Sequence, residues 1–299
     1  MPRRSTRLVR LFSCSYTVSS RGDVRFAFQV AFILLLCLVA LASGGSASVP
    51  PSSGWTLTWS DEFNAANGSV PDPTKWTSEA GGNGWGNHEL EYYTTRPQNA
   101  SIRDGNLVIT ATKENFNGPD GVSRDYTSAR LKTASHFAQA YGRFEARIKI
   151  PKGKGVWPAF WMLGDSIDTV GWPAGGEIDI MENIGSEPDK VHGSMHGPGY
   201  SGATPLSAIF TLSSGAFADD FHVFAVEWEP TAVRFYVDDT LYETRAPQDL
   251  PQGTKWVFDH PFFMLLNVAV GGDFPGSPDA STTFPQEMLV DYVRVYSHK

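Results

Sequence analysis

Three carboxyl groups lie within six positions of the segment EIDIMENI, at Glu177, Asp179 and Glu182. The residues between them are isoleucines and a methionine, which indicates a strand with one face in the core. On a helix, Glu177 and Glu182 would point about 140° apart, so the three acids would not converge. On a regular strand, Glu177 and Asp179 share a face while Glu182 points to the opposite one.

A β-bulge at Ile180-Met181 removes this mismatch, because the two bulged residues then take the place of one. Glu182 returns to the face of the other two acids, while Ile178, Ile180 and Met181 face the core. The uneven spacing therefore predicts a bulged strand that aligns three carboxyl groups on one face.

Such a row of acids suits retaining glycoside hydrolysis. One carboxylate attacks the anomeric carbon, a protonated carboxyl group protonates the leaving oxygen, and the two lie about 5–5.5 Å apart. Crowding like charges raises the pKa of one member, which keeps the general acid protonated near neutral pH. Two other interpretations stay open on spacing alone: a calcium-binding cluster, and a solvated strand with unrelated acids.

Tryptophans surround this segment in the sequence. Trp157 and Trp161 lie in GKGVWPAFWMLG, and Trp172 lies in GWPAGG immediately before the acids. Core packing is the usual role of a single tryptophan. Three of them beside a carboxylate row, flanked by glycine-rich loops, favour a carbohydrate cleft in which sugar rings stack on indole rings.

The elements that must position these residues are predicted to be strands. In YGRFEARIKI, Phe144, Ala146, Ile148 and Ile150 fall on one face and charged residues on the other. The segment AVRFYVDDTLYETR indicates two strands around an Asp238-Asp239 turn. Helical periodicity is absent, so we predict an all-β fold, a curved two-sheet antiparallel sandwich of the jelly-roll kind with a concave cleft. Further strands are predicted at 55–60, 106–113, 189–196, 221–228, 262–269 and 287–296.

Residues 1–48 differ from the rest of the chain. Six arginines precede an apolar run over residues 26–42, and small residues follow it. This pattern predicts a signal peptide with a basic leader, and residues 49–299 are then a single catalytic domain. Secretion or export to a periplasm follows, with a membrane anchor as the alternative. Both cysteines, Cys14 and Cys37, precede the cleavage region, so the mature chain would have no disulfide.

The net charge limits the classes of ligand that the protein is expected to bind. The leader holds six of the 24 basic and one of the 32 acidic residues, which leaves residues 49–299 with 18 bases and 31 acids. A net charge of −13 repels nucleic acid and anionic polymers. We therefore expect an uncharged substrate. We also expect the protein to be a monomer that has no stable membrane association after the leader is cleaved.

The sequence resembles family 16 glycoside hydrolases, in the laminarinase-like (endo-1,3-β-glucanase) branch. The resemblance covers nearly the whole of residues 49–299. It is carried, in order, by GWGNHELEYYT, YGRFEARIKIPKGKGVWPAFWMLG, GGEIDIMENIG, VHGSMHGPGYSG, FHVFAVEWEP, RFYVDDTLY, PFFMLLNVAVGGDFPGSPDAST and MLVDYVRVY. The resemblance implies a jelly roll with a glycan cleft and a 1,3-β-glucan as substrate.

The resemblance also assigns roles. Glu177 would be the nucleophile, Glu182 the general acid/base, and Asp179 the residue that hydrogen-bonds Glu177. His196 resembles a supporting cleft histidine, with a satisfied core histidine as the alternative. The remaining residues expected to bind sugar are Asn87, Arg130, Trp157, Trp161, Trp172 and Asn267. Arg130 is equally compatible with a structural ion pair.

A structural calcium is implied by the same resemblance, with no cofactor needed for catalysis. Glu62 and Gly105 would supply main-chain carbonyls and Asp291 a carboxylate, and calcium accepts six to eight such oxygens. The alternative is that Asp291 only caps or pairs at a strand edge.

Three other activities remain as alternatives to hydrolysis of 1,3-β-glucan. The lichenase branch resembles E-x-D-x-E without the extra residue, so the spacing here favours 1,3-β-glucan over a mixed-linkage 1,3-1,4-β-glucan. A glucan transglycosylase would use the same covalent intermediate. A non-catalytic glucan-recognition protein would lose the acids, which are all present.

Overall fold

The structure, a computed structural model, describes residues 54–299, and the predicted leader lies outside them. Within this range the chain forms strands joined by loops, with a four-residue helix α1 (Ile167–Val170) and a 3-10 turn at Pro247–Asp249. No helix among these residues is long and apolar enough to cross a membrane. The strands are β1 (Trp55–Asp61), β2 (Thr77–Glu79), β3 (Glu91–Tyr93), β4 (Ala100–Arg103), β5 (Asn106–Asn117), β6 (Ser123–Ser128), β7 (Arg130–Lys132), β8 (Gly142–Lys149), β9 (Val156–Gly164), β10 (Glu177–Glu182), β11 (Lys190–His196), β12 (Leu206–Thr211), β13 (His222–Glu229), β14 (Ala232–Val237), β15 (Thr240–Arg245), β16 (Phe262–Val270) and β17 (Gln286–His298).

Two sheets build the molecule, which confirms the predicted two-sheet jelly roll. A ten-stranded sheet has the order β15-β14-β13-β8-β17-β5-β6-β3, with β1 on β17 and β4 on β5. A seven-stranded sheet has the order β12-β11-β10-β9-β16-β7-β2. Neighbouring strands are antiparallel, apart from the parallel pair β3 and β6. Eight of the fifteen neighbouring pairs join strands that are not consecutive in sequence, so the order could not be predicted from periodicity.

The core lies between the sheets and follows the predicted alternation. On β8, Phe144, Ala146 and Ile148 are fully buried in it. The charged face of β8 is covered as well, because the Arg143 guanidinium donates to Glu145 at 2.8 Å and to Glu227 at 3.2 Å. Pairing these buried charges satisfies groups that would otherwise oppose folding.

The predicted bulge lies in β10. Asp179 pairs with Ser194 of β11 and Glu182 with His192, so two residues of β10 oppose the single residue Gly193. The pairing with β9 shifts at the same place. Ile178, Ile180 and Met181 are buried in the core, as expected. The bulge thus returns Glu182 to the face of the other two acids.

The strands that the sequence did not predict are mostly short or lack a clear alternation. Strands β2, β3 and β7 contain three residues each, which is less than two periods of the side-chain alternation. Most of the predicted strands differ from the observed ones by one or two residues at each end, and β5 continues four residues further. The turn at Asp238-Asp239 is confirmed, with φ of 47° and 66°.

Gly193, opposite the bulge, has no room for a side chain. A Cβ there would lie 2.4 Å from the Tyr242 hydroxyl and 2.8 Å from a ring carbon of Phe235. We expect Gly193→Ala to lower the free energy of unfolding by about 1–3 kcal/mol, the usual cost of overpacking a core. Urea denaturation of the purified protein measures this loss.

Tyr242→Phe is the matched partner in a double-mutant cycle. The Tyr242 hydroxyl is buried and has no hydrogen-bond partner among the described residues, so its removal alone costs little. The double variant should therefore be more stable than Gly193→Ala alone. Equal stability of Gly193→Ala and the wild type would contradict the steric argument.

Candidate active site

A cleft of about 1030 Å³ crosses the face of the seven-stranded sheet that points away from the core. Alternate residues of β9, β10 and β11 form its floor, because side chains two positions apart on a strand share a face. Loops 85–89, 202–205 and 273–274 contribute to its walls. Its lining includes Asn87, Arg130, Trp157, Trp161, Trp172, Glu177, Asp179, Glu182, His196 and Asn267.

The three acids of β10 all line this cleft. Asp179 is only 3 % exposed, while Glu177 and Glu182 are partly buried. The arrangement agrees with the row predicted from the spacing. The structure thus brings together all ten residues that the sequence assigned to catalysis and sugar binding, while their individual roles stay predictions.

Two tryptophans hold the outer acids by hydrogen bonds. The Trp172 indole N–H donates to Glu177 Oε2 at 2.7 Å, and the Trp157 indole N–H donates to Glu182 Oε1 at 3.0 Å. The sequence predicted both only as stacking surfaces. An indole N–H is a donor without acceptor capacity, so each bond favours the ionised form of its glutamate.

His196 lies beside the middle acid. Its Nε2 is 3.0 Å from Asp179 Oδ2 and 3.9 Å from Glu177 Oε1. The His196 side chain is 11 % exposed, and its Nδ1 finds no hydrogen-bond partner within residues 54–299. The contact with two acids favours a site residue over the alternative of a satisfied core histidine.

The pKa values of all three acids are raised, and burial is the first cause for each. The pKa of Glu177 rises to about 8, through burial and then the Asp179 charge. That of Asp179 rises to about 7 through burial. Burial and the neighbouring charges hold the pKa of Glu182 well above its ordinary value, which favours its protonated form.

Glu177 and Asp179 are hydrogen-bonded to each other, so they share a proton near neutral pH. Glu177 receives the Trp172 N–H at 2.7 Å, and His196 Nε2 lies 3.0 Å from Asp179 Oδ2. Negative charge is better stabilised where a donor points at it. In the free cleft the shared proton sits on Glu177, whose pKa of about 8 exceeds the value of about 7 for Asp179. The Trp172 N–H stabilises the charge that Glu177 carries once this proton has passed to Asp179, which then gives the row one ionised and one protonated glutamate.

Arg130 lines the cleft together with the indole rings of Trp85 and Trp161. Its guanidinium carbon lies 4.8 Å from the Trp85 ring centroid and 4.6 Å from that of Trp161. Its Nε donates to Glu79 Oε2 at 2.6 Å. The arginine therefore has the structural ion pair that the sequence left open and lines the cleft at the same time.

Several cleft residues were not predicted from the sequence. His192 lies on the face of β11 that carries His196, and the four-residue spacing on a strand could have revealed it. Phe274 packs edge-on against Trp157 and His192, with centroids 5.5 and 5.2 Å apart. It lies in a loop, where no periodic signal exists. Glu89 also lines the cleft, two positions after Asn87.

The three residues predicted to hold calcium lie outside the cleft lining. The Glu62 carboxylate is engaged by Arg294, and Asp291 Oδ2 accepts from Arg147 Nη1 at 2.8 Å. Gly105 lies in the turn between β4 and β5. A different set, Glu177, Asp179 and His196, has one potential ligand atom each within 4.8 Å of the others, at the floor of the cleft itself.

Comparison with known proteins identifies the family. A family model described as "Glycosyl hydrolases family 16" matches residues 87–294. The chain therefore belongs to family 16 of the glycosyl hydrolases, as the resemblance implied.

Individual relatives agree with this assignment. A protein named beta-glucanase from Rhodothermus marinus is 42 % identical over 276 residues, covering 90 % of this chain and 94 % of its own length. The laminarinase catalytic domain of Thermotoga maritima is 49 % identical, with a TM-score of 0.78 over 82 % of this chain and 99 % of its own. The endo-beta-1,3-glucanase of Pyrococcus furiosus has the same identity, TM-score and share of this chain, and 95 % of its own length is covered.

The buried acids should make stability fall as pH rises. A folded-state pKa of about 8 for Glu177, against an ordinary 4.5, means that the folded protein retains a proton that the unfolded chain loses. The stabilisation is complete below about pH 4.5 and is lost as pH rises towards 8. We expect Glu177→Gln to raise the melting temperature relative to the wild type by several degrees more at pH 8 than at pH 5.

Calorimetry of both proteins across this pH range measures the difference. Glu187→Gln, which removes a carboxyl group at the surface outside the cleft, is the control and should show no such pH-dependent gain. A constant difference between Glu177→Gln and the wild type at every pH would contradict the raised pKa.

Proposed function

We propose that this protein is a retaining endo-1,3-β-glucanase that hydrolyses laminarin-type glucans. The observation that carries the proposal is the bulged strand β10, which places two glutamates and an aspartate side by side on the floor of a long open cleft. The names of the relatives from Rhodothermus, Thermotoga and Pyrococcus support this substrate class. No cofactor takes part in the reaction.

In the first step, the ionised Glu177 attacks the anomeric carbon while Glu182 protonates the leaving oxygen. Trp172 holds the attacking carboxylate through its indole N–H, and Asp179, once it has taken the shared proton, donates a hydrogen bond to the same group. The bond from Asp179 delocalises the charge of Glu177 and fixes its orientation.

In the second step, Glu182 is ionised and takes a proton from the water that hydrolyses the glycosyl–enzyme intermediate. The Trp157 N–H at 3.0 Å stabilises this ionised form. Burial favours the protonated form of Glu182 and the indole bond favours the ionised one. The same side chain can therefore serve as acid and then as base.

Transglycosylation and mixed-linkage cleavage are the second candidates. Transfer differs from hydrolysis only in whether water or a sugar acceptor attacks the intermediate. The open cleft admits both. Timed product analysis on 1,3-β-gluco-oligosaccharides separates them, because transfer gives products longer than the substrate. A purely glucan-recognising role is disfavoured, because all three acids are present and lie in the cleft.

We also propose that residues 1–48 direct export and that residues 49–299 act as a monomer, secreted or periplasmic, without stable membrane association. The apolar run, the basic leader and the absence of cysteine after residue 37 support this. N-terminal sequencing of the exported protein and sedimentation analysis test it. An uncleaved leader held in the membrane fraction would favour the anchor instead.

The stereochemistry of the first product tests the mechanism. We expect proton NMR of a laminarin digest to show the β anomer before mutarotation, because two successive inversions restore the configuration. Glu177→Gln should abolish this product, because no covalent intermediate can form. Laminarin, curdlan, lichenan and agarose, compared side by side, give the linkage preference. An initial α anomer would exclude Glu177 as a nucleophile.

We further propose a structural calcium away from the cleft. Strand β17 pairs with β5 as far as Val290 and with β1 from Val293 onwards, so Asp291 lies where these pairings change. Val290 pairs with Leu107, two residues after Gly105, and Val293 pairs with Asp61, the residue before Glu62. Calcium accepts carboxylate and main-chain oxygens in flexible geometry. Arg147, bound to one Asp291 oxygen, competes for this carboxylate.

Thermal unfolding tests the calcium proposal. Starting from metal-free protein, we expect the melting temperature to rise with calcium concentration, because the ion binds only the folded state. Asp291→Ala should remove this dependence. The variant also leaves Arg147 without its carboxylate, so the decisive quantity is the response to calcium and not the absolute melting temperature. A wild-type melting temperature independent of calcium would refute the site.

A further inference from the structure

A second pair of buried acids lies at the cleft, outside the catalytic row. Glu89, in the loop before β3, is 4 % exposed and lines the cleft. Glu91, in β3, is fully buried beneath it. Two unpaired carboxylates this deep would be costly, so their hydrogen bonds must explain why they are tolerated.

Donors converge on Glu89 from two sides. The Asn87 amide donates to Glu89 Oε1 at 3.1 Å, and the Tyr93 hydroxyl donates to Glu89 Oε2 at 2.9 Å. The Glu91 carboxyl group is reached by backbone donors, of which the Val270 N–H lies 2.6 Å from Oε2. Glu91 Oε1 has no hydrogen-bond partner among the described residues, while the Glu91 side chain is within hydrogen-bonding reach of the Glu89 carboxyl group.

Two carboxyl groups in such contact must hold a proton between them, since two carboxylates offer acceptors only. Burial and the Glu89 charge raise the pKa of Glu91 well above its ordinary value. Glu89, with two other donors, is the better place for the negative charge. The proton therefore sits on Glu91 and is donated to Glu89.

An ionised Glu89 fixes the direction of every hydrogen bond connected to it. Because it only accepts, Asn87 must turn its NH₂ group towards Glu89, which leaves the Asn87 carbonyl oxygen for other partners. Tyr93 must donate its proton to Glu89, so its oxygen is free to accept from Asn267 Nδ2 at 3.1 Å.

At the other end of this chain of hydrogen bonds, Trp161 independently requires the same donor-to-acceptor direction. The Trp161 indole N–H can only donate, and it does so to Asn267 Oδ1 at 2.7 Å. Asn267 must then turn its NH₂ group towards Tyr93. Asn87, Asn267 and Trp161 all line the cleft, so the network spans one wall of the substrate site.

We propose that Glu89 is a positioning residue for glucan binding, which, ionised and supported by a protonated Glu91, sets the hydrogen-bonding polarity that Asn87 and Asn267 present to the sugar hydroxyls. This inference rests on the proposed function. It assigns to the pair a role in the affinity for an uncharged glycan and none in bond cleavage, because neither carboxyl group belongs to the row on β10.

Two isosteric substitutions separate the roles of the pair. In Glu91→Gln, the amide N–H replaces the carboxylic O–H as donor to Glu89, and the carbonyl oxygen still accepts from Val270. We expect its kcat and KM on 1,3-β-gluco-oligosaccharides to stay within about twofold of the wild type. In Glu89→Gln, an NH₂ group replaces one carboxylate oxygen, and this group cannot accept a hydrogen bond from the donors that surround the position. We expect KM to rise about tenfold, with kcat changed less than threefold.

Two readouts test the proton without any substrate. The infrared spectrum of the wild type at neutral pH should contain a protonated-carboxyl C=O band that Glu91→Gln removes. Glu91→Gln should also fold with the wild-type near-ultraviolet circular dichroism spectrum and lose no stability at pH 7. Failure of this variant to fold, or an unchanged infrared spectrum, would overturn the assignment of the proton.

The remaining outcomes are equally decisive. Similar KM increases for both variants would show that Glu91 is not protonated, and an unchanged KM for Glu89→Gln would refute the positioning role. If the wild type cleaves none of the 1,3-β-gluco-oligosaccharides, the proposed function fails. In that case the infrared and folding measurements still test whether Glu89 and Glu91 share a proton. The KM values are then compared on whichever glycan of the linkage panel the wild type cleaves.

Discussion

Repulsion among buried carboxyl groups is the constraint on which the cleft depends. Three acids on one strand face, excluded from much of the solvent, cannot all be ionised near neutral pH. The protein does not relieve this by pairing each acid with a cation. It uses the indole N–H groups of Trp157 and Trp172, the nearby His196 and a shared proton, so that Glu177 can pass its proton to Asp179 while Glu182 retains its own. The unequal surroundings of two glutamates on one strand are what allow them different roles.

The same solution recurs at Glu89 and Glu91. There too a buried acid keeps its proton and donates it to a neighbour that faces the cleft. In the catalytic row, the retained protons serve chemistry. In the second pair, the retained proton fixes the direction of a hydrogen-bond network that ends at Trp161. The position of the negative charge thus decides which way the hydrogen bonds of this cleft wall point. Arg130 lies between two indole rings and is already paired with Glu79.

Much of the fold could be predicted from the sequence, because alternation with a period of two is a local property. Strand β8 and the two strands around Asp238-Asp239 follow it closely. The bulge in β10 was also predictable, since three acids can share a face only if one residue is added to the strand. The three-residue strands and the order of strands within each sheet were not, because they depend on partners far away in the chain.

The sequence by itself determined that the three acids of β10 share one face, since side-chain direction follows from position along a strand. The resemblance of its ordered motifs was enough to predict the family and the other expected cleft residues. Only the tertiary structure decided what each of them contacts. The Trp157 indole reaches Glu182 across neighbouring strands, and Tyr93 joins Asn267 from 174 positions away. Protonation depends on such contacts and on burial. Neither is encoded in the local pattern, because both arise only when the sheets assemble.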